Sequence, residues 1–188
     1  MRCLSRAPRA LALLPAAGDS GQAAALAAFD EVVAPAARRF RPDIVLVSAG
    51  YAVISSFLYG KRKNTVSRLI PACLRCRLKF QQEFSSPPNR RYDAHWRDPL
   101  AGLQYRTATY HALAARLAAL AGELCGGRLV FLLEGGYDLK ALGESVANTF
   151  RGVLGEAALD RFNPDLLRDE PMDKVAAVLA EARRIHEL

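Results

Sequence analysis

The chain lacks any apolar run close to the ~20 residues that a membrane-spanning helix requires, although 51% of its 188 residues are hydrophobic. A membrane partner is therefore not expected, and the length accommodates one domain with a substantial core. No internal repeat is present, which excludes solenoid and propeller architectures. Cysteine is scarce: Cys3, Cys73, Cys76 and Cys125 are the four. With no clear secretory signal, they argue against a disulfide framework. Cys73-Leu-Arg-Cys76 has CxxC spacing, but no second CxxC and no His-x3–5-His completes a tetrahedral metal site. A redox reading of this pair would require a thiol of low pKa at Cys73 or Cys76.

Acidic residues are nearly missing from one stretch. Residues 52–91 hold nine basic residues and a single acid, Glu83, a balance of +8 against +7 for the whole chain. The basicity thus belongs to one segment and not to the fold. The first residues, Met1 to Pro15, are basic and then briefly apolar, the composition of a short plastid or mitochondrial targeting segment. Pro15 to Gly21 leads directly into a folded-looking pattern, which argues against it. Nucleus, cytoplasm and plastid all stay open.

What is present is α/β in character. Leu129 to Leu133 has the length and composition of a strand buried on both faces. It runs into Glu134-Gly135-Gly136-Tyr137, and a helical pattern starts at Asp138. Two glycines leaving a buried strand let the backbone take positive φ or approach a ligand closely. In open α/β sheets ligands bind at that carboxyl-end crest. Tyr137 is either a polar group presented there or an ordinary surface residue of a tight turn.

The remaining pattern surrounds that strand. Asp19 to Arg41 places Ala24, Phe29, Val32, Val33, Ala36, Ala37 and Phe40 at helical spacing, with Asp19 or Ser20 as a cap. Arg41-Pro42-Asp43 breaks this helix, and Ile44 to Ser48 reads as a second buried strand. From Ala52 to Arg91 no period is sustained, which is too long for an ordinary loop in a compact domain. Order returns with a polar, aromatic loop from Tyr92 to Leu103. A helix capped by Thr107 or Thr109 follows and stops at Gly126-Gly127. Past the strand, Leu139, Leu142, Val146, Phe150 and Val153 share one helical face, and a last helix begins at Pro171.

Joined across the interruption, Val47-Ser-Ala-Gly-Tyr51 and Asp93-Ala-His-Trp-Arg-Asp-Pro-Leu-Ala-Gly-Leu103 form one motif, SAGYDAHWRDPLAGL. It resembles the C-terminal half of the zinc-dependent histone deacetylase family, in its class II-like plant and algal type. Cys125-Gly-Gly-Arg128, Leu133-Glu-Gly-Gly-Tyr-Asp-Leu139, Ser145-Val-Ala147 and Glu170-Pro-Met172 fit the same pattern in the same order. The resemblance covers roughly residues 13–51 and 92–188 and makes 13–188 a partial deacetylase domain. Residues 52–92 are then a basic insertion, expected to be disordered. Tyr51 and Tyr92 duplicate a tyrosine at its two edges, as an untrimmed intron would. A lineage-specific basic loop is the alternative.

The resemblance implies an arginase/deacetylase-like fold, a mainly parallel sheet flanked by helices, of which this chain carries an incomplete part. It implies Asp93 as a zinc ligand, a role that suits a strand-end carboxylate. It implies Tyr137 as the catalytic hydroxyl that donates to the acetyl carbonyl and its tetrahedral oxyanion. Leu100, Gly135 and Gly136 would line the acyl-lysine channel. Leu100 stands where polyamine-selective relatives carry a glutamate, which favours an acetylated lysine of a histone or other protein, or a small acylated amine. His95 falls on the channel rim, and His111 and His186 have no implied role.

Asp93-Ala-His95 has Asp-x-His spacing, but the resemblance puts it at the third-ligand position; the family's earlier Asp-x-His zinc-ligand pair and its His-His general-base pair do not occur in this chain. The chain alone is therefore expected to be inactive, although its family hydrolyses N-acetyl amides to amine and acetate. The alternative is a non-enzymatic module whose basic 52–91 segment contacts nucleic acid or acidic protein. Nucleic acid is the less expected partner, because Phe57, Tyr59 and Phe80 give no ordered stacking platform. Oligomeric state is not legible.

Overall fold

The computed structural model describes residues 19–50, 53–60, 94–99, 103–133 and 135–188. The N-terminal helical pattern is realised as α1 (Gln22–Ala28), a π-helical turn (Phe29–Val33) and α2 (Ala34–Phe40) in unbroken succession. The wide turn directly precedes Pro35, whose ring has no N–H for the ladder and crowds the carbonyl one turn back. Phe29, Val32, Val33, Ala34 and Ala37 are buried along one side. Neither Asp19 nor Ser20 caps this helix. The N-cap is Gly21, which has no side chain to offer, and the Glu170 carboxylate takes that place from the far end of the chain. Arg41, in the left-handed conformation with φ of 52°, ends α2.

Among the described residues three strands form a sheet: β1 (Ile44–Gly50), β2 (Val53–Gly60) and β3 (Leu129–Leu133), in the order β2-β1-β3. β1 and β3 are parallel, with Val45 opposite Leu129 and Val47 opposite Phe131. β2 is antiparallel to β1, from Ile44 opposite Gly60 to Gly50 opposite Val53. Part of the segment expected to be disordered is therefore a strand. Its β-branched and aromatic residues, Val53, Ile54, Phe57 and Tyr59, favour extended backbone, and they do so without the alternation that would have announced it. Residues 61–92, with Cys73 and Cys76, lie outside the described residues.

The helices α3 (Thr107–Cys125), α4 (Leu139–Leu154) and α5 (Met172–His186) follow the expected order. Gly126, at φ of 62°, stops α3, and Asp138 caps α4 by accepting the Ala141 N–H at 2.8 Å. Val45 and Val47 of β1 are buried, and Leu129 and Phe131 of β3 pack against the same helical core.

Two faces differ from expectation. β3 is not buried on both sides: Val130 and Leu132 are exposed, because among the described residues the helices pack only on the face that carries Leu129 and Phe131. On α4 the buried residues are Ala141, Ser145, Asn148, Thr149 and Gly152. Of the predicted apolar face, Leu142 and Val146 pack against the core while Leu139, Phe150 and Val153 are exposed. The reason is close packing on α3. A Cβ on Gly152 would overlap the His111 carbonyl oxygen, so the small side of α4 is the one that fits.

Candidate active site

The site is assembled from the loop 94–99 and the turn that leaves β3. Backbone hydrogen bonds lock the loop onto the segment before α3. The Trp96 N–H donates to the Tyr105 carbonyl at 3.0 Å, and the Tyr105 N–H donates to the Ala94 carbonyl at 2.9 Å. The Asp98 N–H donates to the His95 carbonyl at 2.9 Å, which closes a tight turn ahead of Pro99. Asp98 is consequently carried inward, only 6% exposed.

The turn after β3 contains Gly135 at φ of 79° and Gly136 at φ of 99°, a region other residues rarely adopt. A Cβ on Gly136 would also come within 2.8 Å of the Leu142 side chain. Tyr137 follows, 51% exposed. Its backbone N–H donates to Asp98 Oδ2 at 2.7 Å, and the Asp138 N–H donates to the same oxygen at 3.3 Å. Arg97 Nε donates to Asp138 Oδ2 at 3.3 Å. The Ala141 N–H first, and then the Arg97 guanidinium, hold the Asp138 carboxyl below its ordinary range.

His95 does not lie on a rim. It is 3% exposed, and its ring meets Phe162 edge-on at 4.8 Å. Nδ1 accepts the Arg97 N–H at 3.2 Å, and buried Nε2 has no hydrogen-bond partner among the described residues. Burial pushes this imidazole down to about 4, with nearby carboxylates such as Asp160 only partly offsetting the effect. A neutral, enclosed histidine serves the fold. Phe162 gathers the cluster, with Arg97 and Lys140 over its ring at 5.2 and 5.8 Å.

Of the predicted site residues, Gly135, Gly136 and Tyr137 are consecutive in the turn that follows the carboxyl end of β3. Asp93 and Leu100 lie outside the described residues. Among the described residues no group of three or more His, Cys, Asp or Glu is placed to hold a metal ion. These residues therefore do not supply a zinc site by themselves. They hold Tyr137 in the turn after β3, with Asp98 bonded to its backbone N–H. Cys125 is buried, and its S–H points to the Arg128 carbonyl at 3.4 Å, so it acts as a core residue. Asp98, Arg97 and Asp138 were not legible as a unit, because loop and turn are some 40 residues apart in the chain. The only sequence signal was the Asp98-Pro99 corner.

Comparison with known proteins settles the kinship. The histone deacetylase domain family matches residues 91–153. The chain is 44% identical to the chloroplastic histone deacetylase 10 of Oryza sativa subsp. japonica, over 93% of this chain and 31% of that protein. The chain belongs to the histone deacetylase family. It is also 42% identical to the chloroplastic histone deacetylase 14 of Arabidopsis thaliana, over 92% of this chain and 32% of the relative. The fold matches the crystal structure of the HDA15 HD domain with a TM-score of 0.54 at 23% identity, covering 90% of this chain and 32% of that one. The arginase/deacetylase-like fold expected from the motifs is thus present in part. The chain spans about a third of the length of these relatives.

Proposed function

We propose that this chain contributes one wall of a zinc-dependent deacetylase site, in which the Tyr137 hydroxyl donates a hydrogen bond to the acetyl carbonyl of an acylated amine. The observation that carries this reading is the GGY turn: an exposed tyrosine at the crest of a parallel strand, its backbone fixed by a buried carboxylate. As the carbonyl becomes tetrahedral its oxygen gains charge, and a fixed hydroxyl donor stabilises that charge more than the ground state. Asp93 would be one of the zinc ligands, and the metal, when bound, would polarise the carbonyl and activate water. Gly135, Gly136 and Leu100 would line the approach of the acyl chain. Acetylated lysine in a protein is the substrate class, and the plastid is the compartment that the names of the rice and Arabidopsis relatives favour.

Apart from Asp93-Ala-His95, which the resemblance puts at the third-ligand position, the chain holds no Asp-x-His and no His-His pair, so turnover requires the rest of a deacetylase domain. The test is zinc content and acetyl-lysine turnover of the protein completed by those elements. Tyr137→Phe is expected to retain zinc and to lose about 100- to 1,000-fold in kcat. Asp93→Ala is expected to lose the zinc itself. Full turnover by Tyr137→Phe would refute the assignment.

A further inference from the structure

We propose that Asp98 is the positioning residue for Tyr137, holding the tyrosine backbone so that its hydroxyl is aimed; this rests on the deacetylase reading of Tyr137. Two features of the turn call for an external support. Gly135 and Gly136 both sit at positive φ, and glycine has the widest choice of backbone conformations, so the turn does not define itself. The Tyr137 ring is half exposed, so packing does not fix it either. The hydrogen bond found at Tyr137 is made by its backbone N–H, to Asp98 Oδ2 at 2.7 Å.

Asp98 is suited to this because it is itself held. Its N–H is tied to the His95 carbonyl, and the loop is bonded on both sides of Tyr105, which is buried against the Tyr110 ring at 5.9 Å. One carboxylate oxygen receives two successive N–H groups, from Tyr137 and Asp138. It thereby fixes the orientation of the peptide plane between them as well as its position. Arg97, the residue next to Asp98, reaches the Asp138 side chain, so the same loop holds the following N-cap. A donor to an oxyanion acts over a distance window of a few tenths of an ångström, and a shift near 1 Å lowers rates by about 100-fold.

Amide hydrogen exchange on the full chain tests the contact directly. A hydrogen bond to a charged group corresponds to roughly 10- to 100-fold in protection. In Asp98→Ala the Tyr137 and Asp138 amides are expected to exchange at least about tenfold faster, while amides of β1 and α3 keep their rates. Asp98→Asn retains an acceptor oxygen and is expected to restore most of the protection. Unchanged Tyr137 protection in Asp98→Ala overturns the proposal. So does loss of protection throughout α3, which would make Asp98 a general support of the fold.

In the completed deacetylase, Asp98→Ala is expected to lower kcat with KM little changed. In a Tyr137→Phe background the same substitution should have almost no further effect, because the hydroxyl that it aims is gone. Additive losses would overturn the positioning role. If the completed protein turns over no acetyl-lysine, the functional reading fails while the exchange result still decides what Asp98 holds.

Discussion

Glu170 closes the N-terminus of a helix whose N-cap, Gly21, lies 149 residues earlier: its Oε2 accepts the Gly21 N–H at 2.9 Å. The same carboxylate takes the Ala24 N–H at 2.8 Å and the Ala23 N–H at 2.9 Å. It therefore satisfies three of the donors that every helix start leaves open, and it places negative charge at the positive end of the helix dipole. Removing it as Glu170→Ala is expected to lower stability by about 2 kcal/mol, the upper end for a helix cap. Gly21→Ala should lose part of the same energy, since the new Cβ would come within 2.8 Å of Glu170 Oε1. Chemical denaturation of both single variants and the double variant checks this. The effects should be less than additive, because the two substitutions remove one contact.

The enclosed imidazole of His95 sets an acid limit on the fold. In the unfolded chain it takes up a proton near its ordinary value of 6.5, but in the folded protein only at about 4. Between those values the unfolded state binds more protons, so stability falls as pH falls. The contribution is fully present above about 6.5, drains away towards about 4, and changes no further below that. Urea midpoints measured from pH 7.5 to 4 should show this slope. A His95→Gln variant, which has nothing to titrate there, should show a flatter profile over the same window. An equally steep profile in the variant would place the acid sensitivity elsewhere.

How far the chain could be read in advance follows the range of the interactions involved. α3 and its stop at Gly126, β3, and the start of α4 at Asp138 were legible because period, cap and glycine act within one or two turns. The GGY turn was legible for the same reason. The capping of α1 by Glu170 and the bond from Asp98 to Tyr137 were not, since each joins residues that only the tertiary fold brings together. The packing side of α4 misled the pattern. Leu139, Phe150 and Val153 look like a core face, but the approach of α3 at Gly152 selects the opposite, smaller face. β2 was hidden because Val53 to Gly60 has no alternation of apolar and polar residues, the period by which a half-buried strand is read from sequence.

The bare side of the sheet predicts association. Leu132 is 43% exposed on the face that the helices do not cover, and β3 has β1 on one side only among the described residues. An open, apolar strand edge is a template for pairing with another chain. Leu132→Lys is expected to reduce concentration-dependent self-association, read by light scattering or sedimentation, with little change in the unfolding midpoint. Phe131→Lys is the contrast. Phe131 packs on the helical core, so a charge there should unfold the chain and not merely solubilise it. Association that persists unchanged in Leu132→Lys would acquit this edge.

Three glycines in helices should respond with opposite signs to the same substitution. Cβ atoms built at Gly122 in α3 and Gly143 in α4 meet nothing within 4 Å. Alanine at either position removes backbone freedom from the unfolded chain and gains helix propensity, which is expected to stabilise by about 0.5–1 kcal/mol each. Gly152 lies on the same helix as Gly143 but faces α3. A Cβ there would overlap the His111 carbonyl oxygen and sit 3.2 Å from the Ala114 Cβ. A backbone carbonyl cannot swing aside as a side chain does, so α3 and α4 must separate. Gly152→Ala is expected to lose roughly 1–3 kcal/mol, the range for overpacking a core. Because propensity favours alanine at all three sites, a loss at Gly152 alone isolates the contact between helices. Stabilisation at all three would mean that α3 and α4 lie further apart than this packing requires, and close approach to α3 would no longer explain why the small face of α4 is the buried one.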